Sequence, residues 1–279
     1  MNFIERLAQR RPILLDGATG TELARRGVDI TGPLWSAQAI RAHPDRLGRV
    51  HADYVAAGAE VITANTFRTN ARAAGPQAEA LTAEAVAIAR ASGARWVAGS
   101  IAPIEDCYRP DLAPPDPVAR TQHDRHARHL ADAGVALLLI ETMNTIREAK
   151  IAREAARLTG LPTLVSFVCR GDGTLLSGEP IEEAARAVAD ADAILVNCME
   201  PASISDVLRR LRAATSRPIG AYGNILTSRT APDLYARFAR EWVGLGAAIV
   251  GGCCGTTPAH IKAVADELRA IGGSANVVA

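Results

Sequence analysis

The stretch "ALLLIETMNTIREAKIAREAARLTG", residues 136–160, contains the unit from which the rest of the chain can be read. Its first part, "ALLLIET" (136–142), is a short apolar run with little alternation, as expected of a parallel strand buried on both faces. Its second part, "NTIREAKIAREAARLTG" (144–160), repeats apolar residues at helical spacing and closes on a glycine. The unit is a strand followed by a helix. Runs like the first recur at "PILLDG" (12–17), "AEVITANT" (59–66), "RWVAGSI" (95–101), "PTLVSFVC" (162–169), "AILVNC" (193–198), "PIGAYGN" (218–224) and "AAIVGG" (247–252), making eight in all. Helical stretches such as "HPDRLGRVHADYVAAGA" (43–59) and "DPVARTQHDRHARHLADAG" (116–134) lie between them. Eight such units with no Gly/Ser/Pro-rich linker dividing them predict a single-domain α/β protein over residues 1–279, a closed (β/α)8 TIM barrel rather than an open doubly wound sheet.

Composition narrows the function classes. Hydrophobic residues make up 48% of the 279, enough for a large core, and the formal net charge is +1. Acids and bases are interspersed, so neither nucleic acid nor an anionic membrane is expected as a partner, and small-molecule substrates are. The opening "MNFIERLAQRRP" has no apolar segment of signal-peptide length, and the longest apolar runs are far too short to span a bilayer, which predicts a cytoplasmic protein. Five cysteines, an odd number, argue against a disulfide framework and leave metal binding or catalysis. The sequence carries no signal of oligomeric state.

In a barrel the active face lies at the C-terminal ends of the strands. The longest connections, 17–43 and 102–116, leave from those ends, and so do the polar and sulfur residues that look out of place. These are Asp16 after the first strand, Asn65 and Thr66 after the second, Glu141 after the fourth, Cys198 after the sixth, Asn224 after the seventh, and Cys253 with Cys254 after the eighth. Barrel closure brings the ends of strands six and eight near each other, so Cys198, Cys253 and Cys254 are expected to converge. Three thiolates and one open position describe a catalytic Zn2+ site, and soft thiolates select zinc or copper(I) over magnesium or calcium. Free cysteines also serve as small buried hydrophobes, which is the reading for Cys169 at the end of strand five. Cys107, in the long loop after strand three, is expected either near the site or exposed. A zinc with three thiolates is a weak Lewis acid. It suits a substrate thiol in the fourth position, lowering that thiol's pKa while leaving the sulfur nucleophilic, so thiol alkylation is the chemistry this ligand set suggests.

The motifs "LLDGATGTEL" (14–23), "ITANTFRTN" (62–70), "LLIETMNT" (138–145), "VNC" (196–198) and "GGCCGTTPAHI" (251–261) span the chain from first strand to last. With them the sequence resembles the homocysteine S-methyltransferases, a family that includes the homocysteine-binding barrel of cobalamin-dependent methionine synthase and betaine-homocysteine methyltransferase. The resemblance implies Zn2+ on Cys198, Cys253 and Cys254, homocysteine sulfur as the exchangeable ligand, Asp16 and Glu141 around the amino acid's ammonium, and Asn224 as a cap on the metal when substrate is absent. Thr66 is placed with the substrate-binding group. Asp16 ahead of Gly17 also suits a simple turn, whereas a carboxylate at Glu141, at a buried strand end, needs a partner. The segment "GPLWSAQAI" (32–40) resembles the subgroup that uses S-methylmethionine or S-adenosylmethionine as methyl donor. Trp35 then either faces a sulfonium cation or anchors its loop, Tyr108 adds a second face, and Glu105 or Asp106 a counter-charge. The loop "GSIAPIEDCYRPDL" (99–112) departs from the S-methylmethionine enzymes.

The expected activity is methylation of homocysteine to methionine. Competing readings are another thiol or a selenol as acceptor, a betaine or methylcorrinoid donor, and a non-catalytic zinc-holding thiol sensor. His123, His126 and His129 step by three along one predicted helix and read as a polar outer face rather than a second metal site. Thr257 and Pro258 read as the N-cap and first residue of the last helix.

Overall fold

The computed structural model describes residues 1–9 and 11–274. Its eight strands are β1 (Ile13–Leu14), β2 (Val61–Ala64), β3 (Trp96–Ile101), β4 (Leu137–Met143), β5 (Thr163–Phe167), β6 (Ala193–Asn197), β7 (Ile219–Gly223) and β8 (Ala247–Gly252). Each is followed by a principal helix: α1 (Pro44–Ala57), α2 (Ala78–Ala91), α3 (Asp116–Asp132), α4 (Ile146–Arg157), α5 (Ile181–Ala187), α6 (Pro201–Ala214), α7 (Pro232–Gly244) and α8 (Pro258–Ser274). All neighbouring strands pair in parallel, β2 through β8 in sequence order with β1 beside β8. A parallel bridge from Leu15 to Val61 closes the ring between β1 and β2, with the Asp16 N–H donating to Val61 O at 3.0 Å and the Glu60 N–H to Leu14 O at 2.8 Å. The chain is a (β/α)8 TIM barrel.

The unalternating apolar runs are explained by two cores. Ile13, Leu15, Val61, Ala98, Leu137, Leu139, Leu164, Ala193, Leu195 and Ile249 fill the inside of the barrel, with Phe3 and Trp96 packed edge-to-face in the same cluster. The intervening residues, among them Leu14, Ile62, Leu138, Ile140, Val165, Ile194, Ala221 and Val250, pack outward under the helices. Because strand side chains alternate, the inward rows can be extended toward the C-terminal ends. Leu137 and Leu139 lead to Glu141, Ala98 to Ser100, Leu164 to Ser166, Leu195 to Asn197. The apolar interior thus changes to a polar layer in its last inward position, directly beneath the loops.

α3 departs from the expected polar outer face. His123 and His126 are fully buried against the barrel, and only His129 is partly exposed. Their rings occupy places where a helix normally sets large apolar side chains, and each finds one partner: His123 Nε2 lies 3.1 Å from Glu148 Oε1 and His126 Nε2 3.2 Å from Ser100 O. At α8, Thr257 does precede Pro258 at the helix start, but its hydroxyl meets the His260 ring at 2.9 Å. Among the described residues no helix is long and apolar enough to cross a membrane.

Candidate active site

The loops after the strands enclose a cavity of about 680 Å3 at the C-terminal mouth of the barrel. Cys198, Cys253 and Cys254 line one side of it. Cys198 follows β6, and the pair follows β8. Backbone bonds across β7 set their heights: the Cys198 N–H donates to Tyr222 O at 3.2 Å, the Cys253 N–H to Gly223 O at 2.9 Å, and Cys254 O accepts from the Ile225 N–H at 2.9 Å. The sulfurs stand 3.1 Å (Cys198–Cys253), 3.8 Å (Cys198–Cys254) and 4.0 Å (Cys253–Cys254) apart. Four tetrahedral thiolates with metal–sulfur bonds of about 2.3 Å would sit about 3.8 Å from one another, so the three sulfurs fit three corners of such a site. Among the described residues this is the one cluster of histidine, cysteine or acidic groups with metal-holding geometry. Its electrostatics favour one ionised sulfur with its two neighbours protonated. Hydrogen bonds from Cys253, Cys254, Tyr108 and Asn224 hold the Cys198 thiol well below its ordinary range, and the neighbouring sulfurs are pushed upward in turn, Cys253 and Cys254 alike. Three adjacent thiolates need a positive charge between them.

The glycines around the pair admit protein rather than ligand. A Cβ on Gly251 would lie 2.6 Å from Leu15 Cβ, and one on Gly252 would collide with Thr256. Gly255 takes φ +85°, a left-handed turn that returns the chain toward α8. Backbone strain gathers here as well: of the four non-glycine residues with positive φ among the described residues, Trp35 (45°), Thr142 (58°) and Cys198 (59°) all line the cavity. Asn197 restrains one of them, accepting the Thr142 N–H at 3.1 Å and donating to the Thr142 hydroxyl at 2.8 Å. Conformations costing about 1–3 kcal/mol each persist where surrounding contacts over-determine them.

Asp16 and Glu141 form an acidic floor. Asp16 accepts from the Thr63 N–H at 2.8 Å and from the Thr63 hydroxyl at 3.0 Å, and burial pushes its carboxyl up to about 8. Glu141 accepts from the Ser100 hydroxyl and, at 3.2 Å, from the Tyr222 hydroxyl, and burial raises it to about 7. Neither carboxylate has a cationic side chain as a partner among the described residues. The opposite wall is apolar and aromatic. Trp35 packs edge-to-face on Phe67 with ring centroids 5.8 Å apart, beside Ile30, Pro33 and Leu226. Its loop is tied down by Asn65, whose side chain accepts from the Ser36 hydroxyl at 2.7 Å and donates to Ser36 O at 2.8 Å.

The remaining sequence-derived residues are placed as follows. Thr66 is fully buried outside the cavity lining; its hydroxyl accepts from the Ser100 N–H at 2.9 Å and donates to Ser100 O, joining the ends of β2 and β3. Asn224 lies beside the sulfurs, its Nδ2 3.9 Å from Cys198 Sγ. Tyr108 is closer, its hydroxyl 3.1 Å from the same sulfur. Cys107 is buried and lines the cavity, its thiol pushed up to about 12 by burial, whereas Cys169 is core beyond the end of β5. Asp106 lines the mouth, and Glu105 points away to pair with Arg72 at 2.7 Å.

The sequence profile described as "Homocysteine S-methyltransferase" matches residues 13–268. The chain belongs to the homocysteine S-methyltransferase family. Homocysteine S-methyltransferase YbgG of Bacillus subtilis is 30% identical, covering 97% of this chain and 99% of its own. The selenocysteine methyltransferase of Astragalus bisulcatus is 26% identical over 91% of each. The metallated form of the homocysteine methyltransferase MmuM from Escherichia coli superposes with a TM-score of 0.83 at 28% identity, over 93% of this chain and 96% of that one. Within this family member, Thr63, Ser100, Phe67, Arg68 and Tyr222 are cavity residues that sequence reasoning did not single out. Inward alternation along β2, β3 and β7 would have reached Thr63, Ser100 and Tyr222. Phe67 and Arg68 follow the end of β2, where alternation no longer applies.

Proposed function

We propose that this chain is one homocysteine-binding barrel domain that transfers a methyl group from a sulfonium donor, S-methylmethionine first and S-adenosylmethionine second, to the thiol of homocysteine, giving methionine. The observation that carries the reading is one cavity with three convergent cysteine sulfurs, two carboxylates on its floor with no cationic partner among the described residues, and an aromatic wall. Cys198, Cys253 and Cys254 would hold Zn2+, which supplies thiol activation, keeping the acceptor sulfur deprotonated yet nucleophilic. Asp16 and Glu141 receive the ammonium of homocysteine, which gives each buried carboxylate the opposite charge it lacks. Trp35, backed by Phe67, faces the sulfonium.

In the transfer, a lone pair on the homocysteine sulfur forms the new S–CH3 bond. The donor's S–CH3 bond breaks with its pair returning to the donor sulfur, which leaves as a neutral thioether, and the thiol proton has already gone to solvent. The protein's own contribution is alignment of the two sulfurs about the methyl carbon and exclusion of water from the apolar wall. Asn224 and Tyr108 are both within reach of Cys198 to cover the sulfurs before substrate arrives.

The likeness to a selenocysteine methyltransferase favours one second reading, a selenol as acceptor at the same site. Steady-state assays with homocysteine and selenocysteine as acceptors, each against S-methylmethionine, S-adenosylmethionine and betaine, with metal content measured on the same sample, test both. Turnover with betaine and with neither sulfonium would overturn the donor assignment; turnover of selenocysteine alone would replace the acceptor.

A further inference from the structure

Among the described residues, Arg68 is the one cationic side chain that lines the cavity. It follows β2 and leans against the aromatic wall, its guanidinium carbon 5.5 Å from the centroid of the Phe67 ring. Nη1 donates to Glu105 O at 3.0 Å, which fastens the side chain to the loop after β3. Nε and Nη2 have no hydrogen-bond partner among the described residues. No carboxylate among those residues pairs with it either, unlike Arg72, which meets Glu105 at 2.7 Å, and Arg153, which meets Asp190 at 2.9 Å. A half-buried guanidinium fixed at one end, with its other donors free and open to a cavity, is a receptor for a planar anion.

Two small-molecule carboxylates enter this cavity on the reading above, that of homocysteine and that of the donor. The surroundings separate them. The carboxylate and ammonium of homocysteine share one carbon, so its carboxylate stays within a few ångströms of Asp16 and Glu141. Arg68 leans instead on Phe67, which packs against Trp35, and is fastened to the loop after β3. Arg68 therefore belongs to the Trp35–Phe67 side of the cavity, where the donor lies.

We propose that Arg68 is the carboxylate receptor of the donor subsite, so that the methyl donor is an onium compound carrying its own carboxylate, held by a guanidinium at one end and an aromatic face at the other. This rests on the sulfonium-donor reading. The fork of Arg68 fixes where the donor's methyl group points, because a carboxylate bound through two parallel N–H bonds loses rotational freedom that a point charge would leave. Arg68 is in this sense a specificity residue.

The test compares S-methylmethionine with its decarboxylated analogue, (3-aminopropyl)dimethylsulfonium, in wild type, Arg68→Met and Arg68→Lys. A charge-assisted pair predicts that the wild type favours S-methylmethionine by about ten- to a hundredfold in kcat/KM. In Arg68→Met that ratio falls to about one through the KM of the donor, while the KM of homocysteine stays put. Arg68→Lys, which keeps charge without the fork, falls between them. Equilibrium dialysis of S-methylmethionine against the protein, with and without metal, should show the same loss in Arg68→Met. An unchanged ratio in Arg68→Met, or a rise in the KM of homocysteine instead, overturns the proposal. If the methionine variant fails to fold by thermal melting, the lysine variant carries the test, and a wild-type ratio there is the refuting result. A wild type that uses neither sulfonium sinks the donor reading itself, which is a different outcome from a wild type that uses both equally well and so overturns Arg68 alone.

Discussion

Replacing Glu141 by glutamine should make the protein more stable and less able to bind homocysteine, a pairing that a merely structural glutamate would not give. The carboxyl is raised from 4.5 to about 7, chiefly by burial, with the Ser100 and Tyr222 hydroxyls opposing that rise. A folded protein that holds a proton the unfolded chain has released loses stability as pH climbs, here from about 4.5 to about 7, after which the loss is complete. At about 1.4 kcal/mol for each tenfold change in proton affinity, the penalty at pH 8 is at most roughly 3 kcal/mol, reduced by the water that the open cavity admits. Glutamine keeps an oxygen for Ser100 and carries no charge. Glu141→Gln should therefore melt up to about 6 °C above wild type at pH 8 and close to it at pH 4.5. Homocysteine affinity should fall about tenfold to a hundredfold, since one charge-assisted partner of the ammonium is gone while Asp16 remains. Thermal melts at the two pH values, titration calorimetry with homocysteine and metal analysis of the same samples decide it. A variant that melts below wild type at pH 8 would show that the carboxylate is not an uncompensated buried charge. One that binds homocysteine normally would remove Glu141 from the substrate site.

Serine at Cys198, Cys253 or Cys254 should release the bound metal and abolish activity, because a hydroxyl is a poor ligand for a soft site, whereas Cys169→Ser should retain both; full zinc occupancy in Cys253→Ser would sink the ligand assignment. Homocysteine affinity should rise with pH up to about 8, levelling as Asp16 and Glu141 ionise without help, with protons released on binding throughout that rise. Calorimetry in buffers of different ionisation enthalpy reads the proton count, and a count at pH 6.5 no greater than the one proton lost by the thiol contradicts the ammonium–carboxylate pairing. Gly20→Ala would set a Cβ 2.5 Å from the Trp35 ring and displace it. Like Trp35→Leu, it should raise the KM of the donor by about five- to thirtyfold and spare that of homocysteine, as loss of a cation–π contact of about 1–2 kcal/mol requires; unchanged donor kinetics in both would make Trp35 a loop anchor only.

Much of this was legible in the chain alone. All eight strands fall where the apolar runs stand, because a strand buried on both faces must be apolar at nearly every position and its helix must carry a 3.6-residue stripe. Strand order then follows from the repeat, and with it the meeting of Cys198 with Cys253 and Cys254 across 55 residues. Asp16 and Glu141 were visible as carboxylates at the ends of apolar runs. Other assignments depended on which way a side chain turns. Thr66 lies one residue beyond Asn65 at the same strand end, yet its hydroxyl joins β2 to β3. His123 and His126 carry a polar stripe's spacing but face inward, since Glu148 and Ser100 O offer each ring a buried partner. Arg68 is one of many arginines in the sequence, and only the closed barrel shows that the other described arginines have carboxylates or surface positions while this one opens on the cavity. Periodicity reports which residues share a face. Whether a polar group on that face is spent on the protein or left free for a ligand depends on what the neighbouring strands and loops bring against it, and those contacts join residues far apart in the chain.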